Sequence, residues 1–457
     1  MPPMNGVTHF DADLLRRYDR PGPRYTSYPT APQFSSAFAE PQLRDHARRS
    51  NAETRPLSLY LHIPYCRTPC FYCACNRLIT RDPHKGALYL QRLQHEIELA
   101  APLFDTAREV VQVHLGGGTP NFLHGAQLET LLTTLRDSFN LSSALTRDFS
   151  IELDPRFIAA PDIEHLARIG FNRASFGVQD FDPEVQQAIN RIQSVEQTLT
   201  AIAACRDSRF RSVNVDLIYG LPRQTPAGFA NTLDTLIALR PDRFAIYGYA
   251  HMPELFKAQK RIHAGDLPDP EAKLRLLQLA IERLTAAGYR YIGMDHFALP
   301  EDELSKAQDS GTLHRNFMGY TTHADCDLLG LGVSAISHIG ASFSQNARDL
   351  RDWEAAIDHD RLPIWRGLEL SPDDLIRADV IQQWMCLGQI DIGAIERRHT
   401  IDFLSYFNEA LRRLTPFITA GLATVLGNRI CVTPRGRLLL RSVATCFDRY
   451  YRAPDTG

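Results

Sequence analysis

Six short apolar runs, each followed by a stretch of helical periodicity, constrain this chain most. They are 58–63 (SLYLHI), 110–115 (VVQVHL), 149–154 (FSIELD), 172–178 (NRASFGV), 212–219 (SVNVDLIY) and 243–250 (RFAIYGYA). Helical patterns lie between them, for example Leu88 to Leu103 and Pro226 to Leu239. The second has Thr225 placed as its N-cap and Pro226 at the first helical position, a standard start signal. Strands that alternate with helices build βα units around a parallel sheet. In barrels made of such units the active site gathers at the C-terminal ends of the strands. The residues that follow each run are therefore the candidates for chemistry.

The first run leads into YLHIPYCRTPCFYCACN, Tyr60 to Asn76. Cys66, Cys70 and Cys73 have the spacing C-x3-C-x2-C, and Cys75 follows as a C-x-C step. The other five of the nine cysteines, Cys205, Cys326, Cys386, Cys431 and Cys446, are scattered. That is no disulfide framework, and it suits a reducing cytosol. Structural zinc commonly takes two separated C-x2-C pairs, and no second pair is present. A zinc knuckle or a disulfide cluster is the alternative to an iron–sulfur site, whose thiolate ligands sit on short loops. Three cysteine ligands would leave one iron of a [4Fe–4S] cube open to a substrate or cofactor.

C-x3-C-x2-C on a loop after a first strand resembles the signature of radical S-adenosylmethionine (SAM) enzymes. The longer string HIPYCRTPCFYCACN resembles one family among them, the oxygen-independent coproporphyrinogen III oxidases, whose pattern includes Cys75. Related heme chaperones share the first three cysteines and typically lack the fourth. GPRYTSYPT, Gly22 to Thr30, reads as extended loop and is similar to a family segment that the chaperones generally lack. It is expected to close over the active site, with Arg24 and the two tyrosines as candidates for substrate carboxylates. YIGMDHFALPEDEL (Tyr291 to Leu304) and LHRNFMGYTTHADCDLLGLGVSAIS (Leu313 to Ser337) also resemble the family.

The fold implied is α/β: an incomplete, three-quarter (β/α)6 barrel, with an N-terminal arm (1–56), a catalytic domain with its C-terminal extension (57–370) and a mainly helical, winged-helix-like cap (371–457). The resemblance implies a [4Fe–4S] cluster on Cys66, Cys70 and Cys73, and SAM, in two molecules. It carries over Gly117, Gly118 and Thr119 of GGGTP for the SAM amino group. A Gly-rich stretch lets backbone approach a ligand closely. Glu152 would face the SAM ammonium, Gln179 and Asp216 the ribose hydroxyls, and Arg191 the methionine carboxylate. Each pairing is chemically apt. Ala250 would hold adenine through its backbone, Tyr60 and Tyr72 would pack near the SAM molecules, and Ile336 would touch cofactor. Cys75 is the candidate for electron or hydrogen transfer.

The activity implied is oxidative decarboxylation of two propionates of coproporphyrinogen III to vinyls, in porphyrin and heme synthesis. The partners implied are that substrate, an electron donor such as a flavodoxin or ferredoxin, and an electron acceptor that the sequence does not name. The expected protein is a cytoplasmic monomer. A heme-binding chaperone or a heme-modifying radical SAM enzyme on the same fold are the rival readings. Three positions depart from the family pattern. Met318 stands where glutamine is expected near a second SAM, Ala74 where glycine is expected, and Cys326 lies in a variable position.

Net charge of −3 gives no basic field for nucleic acid. The first twenty residues lack the apolar core of a secretory signal, and no apolar run is long enough to span a bilayer. From about Ser371 helices take over, with LATVLGNRICVT reading as a hairpin that turns at Gly427-Asn428 and a last helix from Gly436 to Tyr450.

Overall fold

The computed structural model describes residues 8–20 and 22–452. Residues 1–7 and 21 of the expected arm, and 453–457 of the expected cap, lie outside the described residues. The chain forms two compact units. The larger comprises Phe34–Arg283 and Asp325–Glu369; the smaller comprises Met1–Gln33, Leu284–Ala324 and Leu370–Gly457.

The larger unit carries the six expected strands: β1 Leu57–Ile63, β2 Glu109–Gly117, β3 Asp148–Leu153, β4 Arg173–Gln179, β5 Ser212–Tyr219 and β6 Arg243–Gly248. Each pairs in parallel with the next in chain order. The helices between them include α1 Pro83–Ala100, α2 Gly125–Ser138, α3 Ala160–Ile169, α4 Val195–Asp207 and α5 Pro226–Ala238. On the other side of β1 lies β7, Asp327–Leu331, also parallel. Beyond it β8 Ile336–Ile339, β9 Ser342–Asn346 and β10 Ile364–Glu369 run antiparallel. The path from β6 to β10 does not close, which gives a partial barrel.

Residue chemistry accounts for this layout. One face of each strand packs into the core, so apolar residues recur at every second position. Leu57, Leu59, Leu61 and Ile63 of β1 are fully buried, and Ser58 between them donates to Gln112 at 2.7 Å. Thr225 caps α5 by accepting from the Gly228 amide at 3.1 Å, as its position in the sequence indicates. Helix α1 starts five residues before the apolar periodicity does. Asp82 accepts from the His84 amide at 3.0 Å, and Pro83 takes the first helical position.

In the smaller unit, helices Pro372–Leu387, Ile392–His399, Phe403–Tyr406 and Asn408–Thr419 pack with a three-stranded sheet. Its order is Gln389–Asp391, Arg429–Val432, Ala423–Leu426. The last two strands form the expected hairpin, with Gly427 in the left-handed region. This is a winged-helix-like arrangement. The final helix is shorter than expected. A 3-10 turn Arg437–Leu439 runs into Leu440–Ala444 and stops. The Asp448 carboxylate captures the amides of Tyr450 and Tyr451, at 2.8 and 3.1 Å, and the hydroxyl of Tyr25 at 3.0 Å. Side-chain acceptors of this kind compete with helical hydrogen bonds. Tyr25 and Tyr28 are thus buried within this unit, and Arg24 is ion-paired with Asp295. Among the described residues no helix is long and apolar enough to cross a membrane.

Candidate active site

One cavity of the larger unit lies at the C-terminal ends of β2 to β5 and the loop after β1. All four clustered cysteines line it, as free thiols. Tyr72, Gly117, Gly118, Thr119, Glu152, Gln179, Arg191 and Asp216 join them. Residues separated by more than one hundred positions in sequence thus converge, because successive strands of a parallel sheet present their C-terminal ends on one side.

The loop after β2 fits against the cysteine loop backbone to backbone. The Gly118 amide donates to the Ile63 carbonyl at 2.8 Å and the Thr119 amide to the Tyr65 carbonyl at 3.0 Å. A Cβ on Gly118 would sit 2.6 Å from the Pro64 carbonyl, and one on Gly117 (φ +110°) 2.5 Å from the His62 ring. No side chain fits at either position. The Thr119 hydroxyl lies 3.2 Å from the Cys66 sulfur.

Charge in the cavity is arranged in pairs. The Arg191 guanidinium is buried and donates to Asp154 at 3.2 Å, to the Gly177 carbonyl and to the Cys70 sulfur at 3.6 Å. Its Nε is buried without a hydrogen-bond partner among the described residues. Arg156 shares Asp154 with it, at 2.6 Å. Burial raises the Asp154 pKa, but the two guanidiniums outweigh this and hold the carboxyl below its usual range. Burial likewise acts on Glu152. The hydrogen bond and charge of His114, the Gly117 amide at 3.2 Å and His62 more than offset it, so Glu152 is ionised. Its side chain, 44% accessible, reaches the open space. Asp216 is pushed up to about 6, first by burial and then by the charge of Glu152, while Ser175 and Asn214 each donate to it at 2.9 Å. Gln179 ends β4 at φ +69°, a region that residues other than glycine seldom occupy.

The thiols differ. Cys75 hydrogen-bonds Cys73 and holds it down at about 6 against burial, with help from Arg77 and Arg191. Burial pushes Cys66 up to about 11. Three thiols on one loop, beside unpartnered arginine nitrogens at Arg191 and Arg77, form a donor set for an electron-rich cluster and an anionic group next to it. Among the described residues no three His, Cys, Asp or Glu side chains gather as ligands of a single ion.

Three of the expected residues do not line this cavity. The Tyr60 hydroxyl lies 3.1 Å from His62 Nδ1 and its ring stacks on His114 at 5.9 Å. The Ala250 carbonyl accepts from Gln259 at 3.2 Å, and Gln259 also donates to the Tyr72 carbonyl at 3.1 Å. Ile336 begins β8, opposite Gln345. Met318 lies in the tight turn between His314–Asn316 and Gly319–Thr321, its amide bonded to Asn316 at 2.9 Å. Conversely, the cavity includes Arg156, Ser175 and Arg77, which sequence reading passes over. Arg156 had a signal, since it stands two residues beyond a strand-end aspartate. Ser175 had none, being an interior strand residue.

Residues 60–236 match the radical SAM superfamily, and residues 370–439 match the HemN C-terminal domain. The chain is 51% identical to the oxygen-independent coproporphyrinogen III oxidase of Pseudomonas aeruginosa, over 98% of this chain and 97% of that protein. It is 47% identical to that of Escherichia coli, over 97% and 96%. A solved structure described as coproporphyrinogen III oxidase (HemN) from Escherichia coli, a radical SAM enzyme, superposes with a TM-score of 0.93 at 45% identity and covers 98% of this chain and all of that one. Matched along nearly its whole length, this chain belongs to the family of oxygen-independent coproporphyrinogen III oxidases.

Proposed function

We propose that the chain decarboxylates coproporphyrinogen III oxidatively, without oxygen, converting two propionates to vinyls and yielding protoporphyrinogen IX. The observation that carries this reading is the cavity itself. Three cluster-spaced thiols, Arg191 and a set of strand-end carboxylates surround one space, in a chain related end to end to such oxidases.

When bound, a [4Fe–4S] cluster on Cys66, Cys70 and Cys73 and SAM at its open iron supply the one-electron chemistry that removes hydrogen from a propionate. The protein binds and orients these groups. Arg191, which lines the cavity, would grip the methionine carboxylate with its guanidinium. Glu152, ionised and accessible, would meet the ammonium together with the backbone of Gly117, Gly118 and Thr119. Asp216, pre-oriented by Ser175 and Asn214, and Gln179 would accept from ribose hydroxyls. Tyr60, Tyr72, Ala250 and Ile336 would pack around adenine and a second SAM. Cys75, open to the cavity, would pass an electron or hydrogen during turnover.

The electron would come from a carrier such as a flavodoxin or ferredoxin. The nine free cysteines support work in the cytoplasm, and the enzyme would act as a monomer. The test is anaerobic turnover of the reconstituted enzyme with reductant, SAM, coproporphyrinogen III and cell extract as acceptor, followed by mass spectrometry. Loss of two CO2 per porphyrinogen, absent in Cys66→Ala, is expected. Intact substrate beside cleaved SAM would overturn the proposal in favour of another radical SAM activity.

A further inference from the structure

The reaction needs an electron from outside, and one face of the larger unit has the features to receive its carrier. Leu78–Ile79 is a two-residue strand that pairs in parallel with Tyr65–Cys66. The Leu78 amide donates to the Pro64 carbonyl at 2.7 Å and the Thr80 amide to the Cys66 carbonyl at 3.0 Å. The face is therefore one strand spacing, about 4.8 Å, from the backbone of a cluster cysteine. Yet both side chains point to solvent: Leu78 is 39% and Ile79 44% exposed. Leu88, on the helix that follows, is 40% exposed.

Cations flank this strand along the chain: Arg67 follows Cys66, the residue opposite Ile79, and Arg81 and Lys85 follow Ile79 itself. Arg67, Arg81 and Lys85 are exposed, and none of them has an ion pair or side-chain hydrogen bond among the described residues. The one acid in the run, Asp82, is spent on capping α1 through the His84 amide. Arg67 stands over the rings of Phe122 and Phe157, at 5.9 and 5.2 Å, and lines both a shallow cavity that it shares with Arg81 and the rim of the cysteine cavity. On a chain of net charge −3, these cations are unpaired among the described residues. An apolar centre with a charged rim is the anatomy of a protein interface, and complementary charge steers the encounter.

We propose that Leu78, Ile79, Arg67, Arg81 and Lys85 form the docking surface for an acidic one-electron carrier protein. The proposal rests on the reading of Cys66, Cys70 and Cys73 as cluster ligands. One electron leaves the reduced carrier and enters the oxidised cluster. The carrier ends oxidised by one electron, no bond breaks and no proton moves.

The test uses reconstituted holoenzyme, with purified bacterial flavodoxin and a plant-type ferredoxin as probes. Iron content and cluster absorbance are checked first; a chain that holds no cluster overturns the cluster reading and the proposal with it. Binding of each carrier is measured by titration calorimetry at low and high salt. Cluster reduction is followed optically with reduced carrier and, separately, with dithionite. Arg81→Glu/Lys85→Glu should weaken binding and slow carrier-driven reduction about tenfold or more. Leu78→Ser/Ile79→Ser should act in the same direction. Wild-type binding should weaken as salt rises, and dithionite reduction should stay within about twofold in both variants. Unchanged carrier binding, salt-independent binding, or an equal loss with dithionite would overturn the proposal. So would failure of both carriers to bind a cluster-loaded enzyme. Concentration-dependent self-association lost in Arg81→Glu/Lys85→Glu would assign the face to a second copy of the chain instead.

Discussion

Glu96, on the buried face of α1, offers a sharp test of how the larger unit is held together. Glu96 is 1% exposed, and among the described residues what acts on its carboxyl is burial and three hydrogen bonds. Three N–H groups point at it: the Gly332 amide and Trp353 Nε1 at Oε2, 2.7 and 3.1 Å away, and Asn346 Nδ2 at Oε1, 2.7 Å away. Tyr89, two turns earlier, donates to the His62 carbonyl at 2.7 Å and accepts from the Val333 amide at 3.1 Å. One helix face thus joins the end of β1 to the turn after β7. Burial pushes the Glu96 pKa from 4.5 up to about 7 against these three donors.

The sign follows from proton counting. Between those two values the folded state holds a proton that the unfolded state has lost, so stability falls as pH rises through this window. At about 1.4 kcal/mol per unit, the loss between pH 5 and pH 8 is about 2.5 kcal/mol. Glu96→Gln removes this dependence. It sets its own amide against Asn346 Nδ2, which cannot turn away without losing its second bond, to the Gly332 carbonyl at 2.9 Å. An unsatisfied buried donor costs about 1–3 kcal/mol, so the variant should be clearly less stable than wild type at pH 5 and close to it at pH 8. For a unit of roughly 300 residues the gap in melting temperature should narrow by about 4 °C across that range. Thermal unfolding of both proteins, followed by calorimetry at several pH values, checks this. Melting curves that stay parallel from pH 5 to pH 8 would refute the reasoning.

Further outcomes follow from the cavity. Arg191→Lys keeps the charge but loses the fork, and SAM affinity in reconstituted enzyme should fall about tenfold to a hundredfold by titration calorimetry; an unchanged Kd with full cluster content would remove Arg191 from the SAM site. Cys75→Ser should retain about four irons per chain and lose porphyrinogen turnover, whereas full turnover would show that Cys75 has no part in it. Asp216 is ionised only above about 6, so SAM binding should weaken as pH falls through that value; in Asp216→Asn this pH step should vanish, and its persistence would assign the step elsewhere.

Much of this was legible in the residues, for reasons that differ by element. The six strands of the larger unit could be read because apolar residues recur at every second position in short runs, as Leu57, Leu59, Leu61 and Ile63 do in β1. Thr225 and Gly427-Asn428 carry local signals, and the structure bears both out. The start of α1 was hidden because its first turn, beginning at Pro83, is polar and exposed. The end of the last helix was hidden because Asp448 turns the chain through contacts with Tyr25, a partner 423 positions away in sequence. Within the cavity, cysteine spacing and strand-end carboxylates were visible. Ser175 and Arg77 act through neighbours that only the assembled sheet provides, as Ser175 does by donating to Asp216. The Glu96 network is of the same kind: a lone glutamate in a helix shows nothing until Gly332, Asn346 and Trp353 close around it.

The central claim is that hydrogen is taken from a propionate side chain in the cavity of Cys66, Glu152 and Arg191. Coproporphyrinogen III deuterated at the propionate β-carbons tests it most directly, in an anaerobic single turnover with the reconstituted enzyme. The account predicts deuterium in the 5′-deoxyadenosine recovered, together with loss of CO2. Unlabelled 5′-deoxyadenosine alongside decarboxylated product would contradict it.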